Sequence, residues 1–215
     1  MDSPYSRELE VAFGALQKAA KISRSVLAEA DLGVLAKDDL SPVTIADFAI
    51  QALLTATFHA AFPDDKFVGE ESAAELRENP TLLARVWGHL RRDAGEDEDG
   101  IPDSPEQACE MIDWCGAGVP GGAGSGRVWV FDPIDGTQNF VHGGLYAING
   151  MYKNILPLNP RRLFLKTPLS FLTYIMSYHH PTLELSRNQD VTLKDNMLIC
   201  KQWHCWKTES KFSVP

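Results

Sequence analysis

Two aspartates, Asp132 and Asp135, lie three positions apart in the stretch VFDPIDGT, with a proline between them. Their like charges repel each other unless a cation lies between them, and Mg2+ is bound by carboxylate, carbonyl and water oxygens. The backbone carbonyl of Ile134 offers a further oxygen. Gly136 and Thr137 are predicted to begin a helix whose free N–H groups hold a phosphate oxygen. The DPxDG composition is also common in turns, so the stretch alone leaves both interpretations open.

A second acidic cluster follows another predicted strand. The stretch KFVGEES is typical of a short apolar strand that ends at Gly69 and continues into Glu70 and Glu71, and RVWVF is a β-rich run that ends at Asp132. Strand ends expose functional side chains in α/β-type folds, because the strand fixes their position and the following loop faces solvent. Glu70 is therefore expected to share one cluster with the two aspartates. Glu71 and Ser72 are assigned a supporting role.

The N-terminal third of the chain predicts two helices that precede these strands. Apolar residues in SRELEVAFGALQKAAKISRSVLAEA recur at spacings that suit one helical face. In the following stretch, IADFAIQALLTATFHAAF, Thr44 is the predicted N-cap and Pro63 the predicted stop. Asp47 lies in the first turn of this second helix, where a carboxylate interacts favourably with the helix dipole. Asp47 therefore has a structural as well as a functional interpretation.

The composition is that of a globular protein. Of the 215 residues, 44% are hydrophobic and 9% aromatic, which argues against disorder. No apolar run reaches the roughly 18 to 20 positions of a membrane-spanning helix, and MDSPYSRELE lacks the pattern of a secretory signal. The 4 cysteines are too few and too scattered for a disulfide framework. These features predict a cytoplasmic protein without a membrane partner.

The charge is unevenly distributed along the chain. The net charge is -9, with -14 on residues 1–149 and +5 on residues 150–215. An acidic protein does not attract nucleic acid through its overall field, so no nucleic-acid partner is expected, and an anionic substrate requires metal ions or a basic pocket. Part of the acidic excess lies in residues 91–107, RRDAGEDEDGIPDSPEQ. This stretch has no apolar period and is predicted to be a solvated loop.

Three segments together resemble the inositol monophosphatase superfamily of Mg2+-dependent, lithium-sensitive phosphatases. WVFDPIDGT resembles its first signature, and FVGEES resembles its metal-binding glutamate strand. KDDLSPVTIADFAIQ resembles more narrowly the 3'(2'),5'-bisphosphate nucleotidase branch, which removes one phosphate from adenosine 3',5'-bisphosphate formed in sulfate assimilation. The long segment between Glu70 and Asp132 is similar to that of the fungal members of this branch. The resemblance covers about residues 5–149.

The resemblance assigns roles to individual residues. Metal-binding oxygens are implied at four positions, which are Glu70, Asp132, Ile134 through its carbonyl, and Asp135. Asp47 and Thr137 are implied to orient and deprotonate the attacking water. The phosphate contact of Gly136 and Thr137 is predicted from the helix start alone. The implied cofactor is Mg2+, which favours ionisation of water and neutralises charge on the phosphoryl oxygens during in-line displacement.

The resemblance also implies a fold. We expect an α+β chain with the N-terminal half of a layered sugar-phosphatase-like fold, in which a first helical pair packs on a mainly antiparallel sheet. Three of its strands are expected near Phe67, over residues 128–131 and over residues 146–149. Residues 1–149 are predicted to form the metal-binding phosphatase domain, and residues 150–215 a divergent, poorly ordered tail. One sheet face is expected to be left uncovered.

The sequence departs from the family pattern near Gly150. The stretch that follows is basic and interrupted by prolines, and it lacks the WDxxAG motif to which the resemblance assigns a further metal-ligand aspartate and the residues that contact the nucleotide. The codons of Gly150, Met151 and Tyr152 can contain GTATGT, which resembles a fungal 5' splice site. One hypothesis is therefore that the tail is translated intron.

These features predict an enzyme that acts on a small phosphorylated nucleotide. The expected activity is Mg2+-dependent removal of the 3'(2')-phosphate from adenosine 3',5'-bisphosphate, with little or no turnover by this 215-residue chain itself. An inositol monophosphatase-type phosphatase is the alternative within the enzyme class. A catalytically dead fragment that binds metal is the alternative outside it. The oligomeric state is left open.

Overall fold

The computed structural model describes residues 6–29, 31–36, 42–95, 100–115, 126–155, 170–176, 191–194 and 197–200. The helices in this part of the chain are α1 (Ser6–Leu27), α2 (Ile45–Ala61), α3 (Ala74–Glu78), α4 (Pro80–Ala94), α5 (Pro105–Trp114) and α6 (Thr137–Val141). The strands are β1 (Leu35–Ala36), β2 (Pro42–Val43), β3 (Lys66–Val68), β4 (Gly126–Asp135), β5 (Tyr146–Ile155), β6 (Ser170–Met176), β7 (Val191–Lys194) and β8 (Met197–Cys200).

The predicted pair of N-terminal helices is confirmed. Helix α1 is amphipathic and buries one face, which includes Leu16, Ile22 and Val26, against α2. Helix α2 is buried almost all round, as expected for an apolar helix in the centre of a core. None of the helices in the described part of the chain is both long enough and apolar enough to cross a membrane.

The acidic stretch of residues 91–107 is helical at both ends, so the prediction of a solvated loop there is wrong for those ends. Helix α4 continues to Ala94, and α5 begins at Pro105. The side chains of Asn79 and Ser104 cap the two helices by accepting hydrogen bonds from the backbone N–H groups three positions later in the helix. A polar cap residue followed by proline signals the start of a helix, as at Ser104 and Pro105. The high charge density of residues 91–107 nevertheless led to the prediction of a loop there.

The main sheet has the strand order β3-β4-β5-β6-β8-β7. Strands β3 and β4 pair in parallel, and the other neighbouring strands pair in antiparallel fashion. The three predicted strands, near Phe67 and over residues 128–131 and 146–149, are therefore all present and adjacent. The expectation of a mainly antiparallel sheet and of an α+β chain is confirmed.

Aromatic side chains join the helical layer to the sheet. Phe58 of α2 lies against Trp129 and Phe131 of β4, with ring centroids 4.0 and 5.4 Å apart. Phe67 of β3 stacks on Phe131 at 6.2 Å. Residues two apart on a strand share a face, so Trp129 and Phe131 point into the core and Asp132 lies on the opposite face together with Val130. Because apolar area is removed from water on both partners, this contact fixes the end of β4 relative to α2.

Strand β5 continues through Gly150, where the sequence departs from the family pattern, and ends at Ile155. Strands β6, β7 and β8 extend the sheet beyond it. The division into a domain over residues 1–149 and a tail over residues 150–215 stays a prediction. So does the uncovered sheet face, since residues 156–169, 177–190 and 201–215 lie outside the described part of the chain.

Candidate active site

Asp47 is held at the start of α2 by a reciprocal cap. The Thr44 N–H and the Thr44 hydroxyl both donate to Asp47 Oδ2, at 2.8 and 2.7 Å, while Thr44 Oγ1 accepts from the N–H of Ala46 at 3.2 Å. This arrangement satisfies backbone donors that the first turn of a helix leaves open. The structural interpretation of Asp47 is therefore correct, and it leaves the other carboxylate oxygen, Oδ1, facing away from the cap.

The carboxyl group of Asp47 is buried, with 1% of the residue exposed. Burial raises its pKa to about 7, the hydrogen bonds from Thr44 act in the opposite direction, and the nearby charges of Glu71 and Glu70 raise the pKa further. The two glutamates therefore lie close enough to Asp47 to repel its negative charge. A carboxyl group with a pKa near 7 can exchange a proton at neutral pH.

Thr137 follows a sharp turn at the end of β4. Gly136 has a φ of 89°, in the left-handed region that favours glycine, and α6 begins directly after it. The turn directs the Thr137 hydroxyl to the carbonyl oxygen of Ile134, 2.9 Å away, and to Asp47 Oδ1, 3.5 Å away. The one hydroxyl proton serves one acceptor at a time, and the shorter distance favours Ile134. The structure thus brings Asp47, Thr137 and the Ile134 carbonyl together.

The two aspartates lie on either side of an irregularity in the sheet. In the pairing of β4 with β5, Asp132 is opposite Asn149 and Asp135 is opposite Ala147. From Asp132 to Asp135, β4 advances by three residues while β5 advances by two, which is a β-bulge. A bulge changes the direction of the side chains at the strand end. The side-chain N–H of Asn149 donates to Asp135 Oδ2 at 3.1 Å. Asn149 is a site neighbour that sequence analysis did not identify, since only the strand register brings it opposite Asp132.

Glu70 reaches the same edge of the sheet from β3. The parallel register pairs Val68 with Val130, so Glu70 and Asp132 each come two residues after a paired position. The carboxyl ends of neighbouring parallel strands meet at one edge of a sheet. Glu70 is exposed there, whereas Glu71 is buried. The structure therefore places the predicted site residues around one edge.

The donor set at this edge consists of oxygen atoms, which suits a hard divalent cation such as Mg2+. Asn149 Oδ1 is buried, and within the described part of the chain no hydrogen-bond donor reaches it. A buried acceptor oxygen beside carboxylates is an environment that such a cation, or water bound to it, satisfies. However, no three acidic, histidine or cysteine side chains among the described residues are grouped closely enough to hold a metal ion. The chemistry of the donors fits Mg2+, and ligation requires the carboxylates to turn towards one another.

Comparison with known proteins gives the family. Residues 5–150, more than half of the chain, match the inositol monophosphatase family. The chain belongs to this family. The fold of residues 5–150 is therefore that of the inositol monophosphatase family, and the helical pair, strands β3 and β4 and the start of β5 lie within the matched residues.

Several similar curated proteins are named as nucleotidases. The chain is 38% identical over 147 residues to the 3'(2'),5'-bisphosphate nucleotidase of Emericella nidulans. It is 38% identical over 154 residues to 3'(2'),5'-bisphosphate nucleotidase 1 of Candida albicans, and 37% identical over 153 residues to the 3'(2'),5'-bisphosphate nucleotidase of Schizosaccharomyces pombe. Each match covers 67% of this chain and 42% of the relative. The chain therefore spans less than half the length of the curated relatives that it matches.

Proposed function

We propose that the chain carries the metal-binding part of a Mg2+-dependent phosphomonoester hydrolase that removes the 3'(2')-phosphate from adenosine 3',5'-bisphosphate. One observation supports this proposal above the others. The Thr137 hydroxyl lies between the Ile134 carbonyl and the buried carboxyl group of Asp47, directly beside the two aspartates of the DPID stretch. This arrangement combines a candidate proton acceptor with candidate metal ligands at one strand end.

In this proposal, Mg2+ is held by oxygen atoms of four residues. These are the side chains of Glu70, Asp132 and Asp135 and the backbone carbonyl of Ile134. When bound, Mg2+ supplies positive charge that favours ionisation of water and neutralises the phosphoryl oxygens. The chain itself contributes ligand positions that are fixed by two adjacent strands and by the bulge between Asp132 and Asp135. Gly136 and Thr137 contact the phosphate from the turn that follows β4.

Asp47 and Thr137 act on the attacking water. When the Thr137 hydroxyl turns from the Ile134 carbonyl to Asp47 Oδ1, the carboxylate oxygen that Thr44 does not occupy, Thr137 passes its proton to that oxygen and takes a proton from the attacking water. Burial raises the pKa of Asp47 to about 7 in the metal-free chain, so this carboxyl group can take up a proton near neutral pH. The water oxygen, having given one proton to Thr137 Oγ1, forms the new bond to phosphorus as the bond to the 3'(2')-oxygen breaks, and the leaving oxygen takes a proton from solvent water.

The substrate class is supported by the names of similar proteins such as those of Emericella nidulans, Candida albicans and Schizosaccharomyces pombe, which are called 3'(2'),5'-bisphosphate nucleotidases. The net charge of -9 disfavours a nucleic-acid partner, and an anionic nucleotide needs local positive charge, which bound metal ions would supply. We further propose a cytoplasmic location, which the few scattered cysteines favour, sensitivity to lithium, which the superfamily resemblance implies, and a role in sulfate assimilation, which the nucleotidase branch implies.

Phosphate release by the purified chain tests this proposal. The substrate is adenosine 3',5'-bisphosphate, assayed with Mg2+ and with a chelator, and the Asp135→Ala variant is the blank. We expect slow release that requires Mg2+ and is absent from the blank. The expected rate is low because WDxxAG, to which the family resemblance assigns another ligand aspartate, does not occur in the sequence.

The other outcomes of this assay separate the alternatives. Faster release from inositol 1-phosphate than from the nucleotide would identify an inositol monophosphatase-type enzyme. Metal binding without any release would identify a catalytically dead metal-binding fragment. Equal release by the wild type and the Asp135→Ala variant would contradict the assigned site.

A further inference from the structure

The side chain of Gln51 connects three elements inside the core. Gln51 lies on α2, one turn after Asp47, and it is 0% exposed. Its Nε2 donates to the carbonyl oxygens of Glu71 and Ile112, at 2.8 and 3.1 Å. Its Oε1 accepts from the N–H of Glu71 at 2.9 Å. The amide therefore forms hydrogen bonds with both the N–H and the carbonyl group of Glu71, and it links this residue to α2 and to the C-terminal end of α5.

The orientation of this amide is fixed by its partners. Both N–H groups of the Gln51 side chain face carbonyl oxygens, and its oxygen faces an N–H group. Rotation of the amide by half a turn would place oxygen against two carbonyl oxygens and N–H against N–H. A buried amide is costly unless it is hydrogen-bonded, and this amide meets that requirement in one orientation only.

Gly69, which precedes Glu70, has no side chain and so leaves room for the Gln51 side chain. A Cβ atom on Gly69 would lie 2.6 Å from Cδ and from Oε1 of Gln51, and 2.9 Å from Cβ of Cys115. Glycine therefore allows the chain to pass directly over the Gln51 amide. Glu70 lies between Gly69 and Glu71, so the backbone on both of its sides is in contact with Gln51.

We propose that Gln51 is a positioning residue that fixes the position of Glu70 relative to Asp47. This inference rests on the proposed function, in which Glu70 holds Mg2+ and Asp47 accepts a proton. Asp47 and Gln51 are four residues apart on α2 and therefore share one face of the helix. The helix that carries the proton acceptor thus also holds the loop that carries the candidate metal ligand. Gln51 itself contacts neither substrate nor metal.

The test uses the purified 215-residue chain and three variants. Gln51→Met keeps the length of the side chain and removes the amide. Gly69→Ala leaves Gln51 in place and adds the clashing Cβ. The matched control is Thr55→Val, since Thr55 lies one turn further along α2, is also 0% exposed, and bonds to the Gln51 carbonyl oxygen and to Cys115 Sγ. Thermal unfolding in a chelator identifies the variants that are folded.

Two readouts separate a positioning role from general stabilisation. The first is hydrogen exchange at the N–H of Glu71 without metal, which we expect to be at least about 10-fold faster in Gln51→Met and Gly69→Ala than in Thr55→Val. The second is binding of Mn2+, used as the probe ion, by calorimetry. Loss of support for ligands commonly weakens metal binding by about 10- to 100-fold. We expect that loss in the first two variants and wild-type affinity in Thr55→Val.

Each result bears on a different claim. Equal exchange rates at the Glu71 N–H in all three variants would contradict the claim that the hydrogen bonds of Gln51 hold this loop in place. Faster exchange at Glu71 with unchanged Mn2+ affinity would overturn the positioning role and leave the proposed function intact. Failure of the wild-type chain to bind Mn2+ would overturn the proposed metal site, and with it the inference that depends on that site, even if the Glu71 N–H were protected.

Discussion

Thr137 and Asp47, which are 90 positions apart in the chain, meet with Thr137 Oγ1 3.5 Å from Asp47 Oδ1. The start of α2 and the turn after β4 bring them together, and the same turn places Thr137 Oγ1 2.9 Å from the Ile134 carbonyl oxygen. The helix cap of Asp47 occupies Oδ2, so Oδ1 is available for a second partner. One carboxyl group therefore serves both the local stability of α2 and the candidate site.

The first prediction concerns the pH dependence of stability. Burial raises the pKa of Asp47 to about 7 from an ordinary value of 3.8, so the folded chain retains a proton that the unfolded chain has released between these values. The stability from this proton is complete below pH about 4 and is lost as the pH rises through about 7. In a chelator, the free energy of unfolding of the wild type should fall between pH 5 and pH 8 by on the order of 2 kcal/mol relative to Asp47→Asn. Denaturant unfolding measures this difference, and parallel pH profiles would contradict it.

The second prediction concerns the helix cap. Thr44→Val keeps the shape of a residue that is 0% exposed but removes the hydroxyl that accepts from Ala46 and donates to Asp47. The free energy of unfolding should fall by about 1 to 2 kcal/mol, since both a cap and a buried hydrogen bond are lost. Thr44→Ser, which keeps the hydroxyl, is the control and should lose less. A larger loss in the serine variant would show that the methyl group, and not the cap, carries the effect.

A third prediction concerns the loop before β3. Asp65 accepts from Arg127 Nε at 2.7 Å and from Trp129 Nε1 at 2.8 Å, and it is 8% exposed. Asp65→Ala should lower the free energy of unfolding by about 2 kcal/mol, because the buried indole N–H of Trp129 loses its acceptor. The loss of the ion pair with Arg127 should add little, since Arg127 is partly exposed and its charge is screened by water. The adjacent Asp64 is exposed, and Asp64→Ala should change stability by less than about 0.5 kcal/mol. Similar losses in the two alanine variants would show that the contacts of Asp65 contribute little.

The fourth prediction concerns thiol reactivity. Cys115 is 2% exposed, and burial raises its pKa to about 11 despite an opposing hydrogen bond with Thr55. Because the thiolate is the reactive form, alkylation of Cys115 by iodoacetamide at pH 8 should be at least about 100-fold slower in the native chain than in urea. Peptide mapping by mass spectrometry identifies the labelled cysteine. Rapid labelling of Cys115 in the native state would mean that α5 opens readily at its C-terminal end.

Much of this arrangement is predictable from local sequence patterns. The cap residue Thr44 precedes a long apolar helix, and the strand ends near Glu70 and Asp132 are marked by short β-rich runs. Helix α5 was not predicted, because the charge density of residues 91–107 outweighed the helix-start signal of Ser104 followed by Pro105. The similar signal of Asn79 and Pro80 at the start of α4 lies before that stretch and was missed. Local capping chemistry decided the structure there, against the overall polarity of the segment.

The contacts of Gln51 and Asn149 depend on tertiary structure and could not be predicted in the same way. Gln51 is one polar residue in an apolar helix, and nothing in its neighbourhood along the chain identifies the Glu71 backbone as its partner. Asn149 lies opposite Asp132 only in the register of β4 and β5, in which the bulge shifts the pairing. Strand register is a long-range property, so the distance between two motifs in the chain does not reveal it.

Binding of a divalent ion by the purified chain is the most direct test of the proposal that the acidic edge of the sheet is a metal site. Mn2+ is titrated calorimetrically into the wild type, into Asp135→Asn and into the control Glu78→Gln, which removes an equal charge from an exposed position at the end of α3. We predict that the wild type and Glu78→Gln bind Mn2+ with the same affinity and that Asp135→Asn binds at least about 10-fold more weakly. Equal affinity in all three proteins would contradict the assignment of the DPID carboxylates to a metal site.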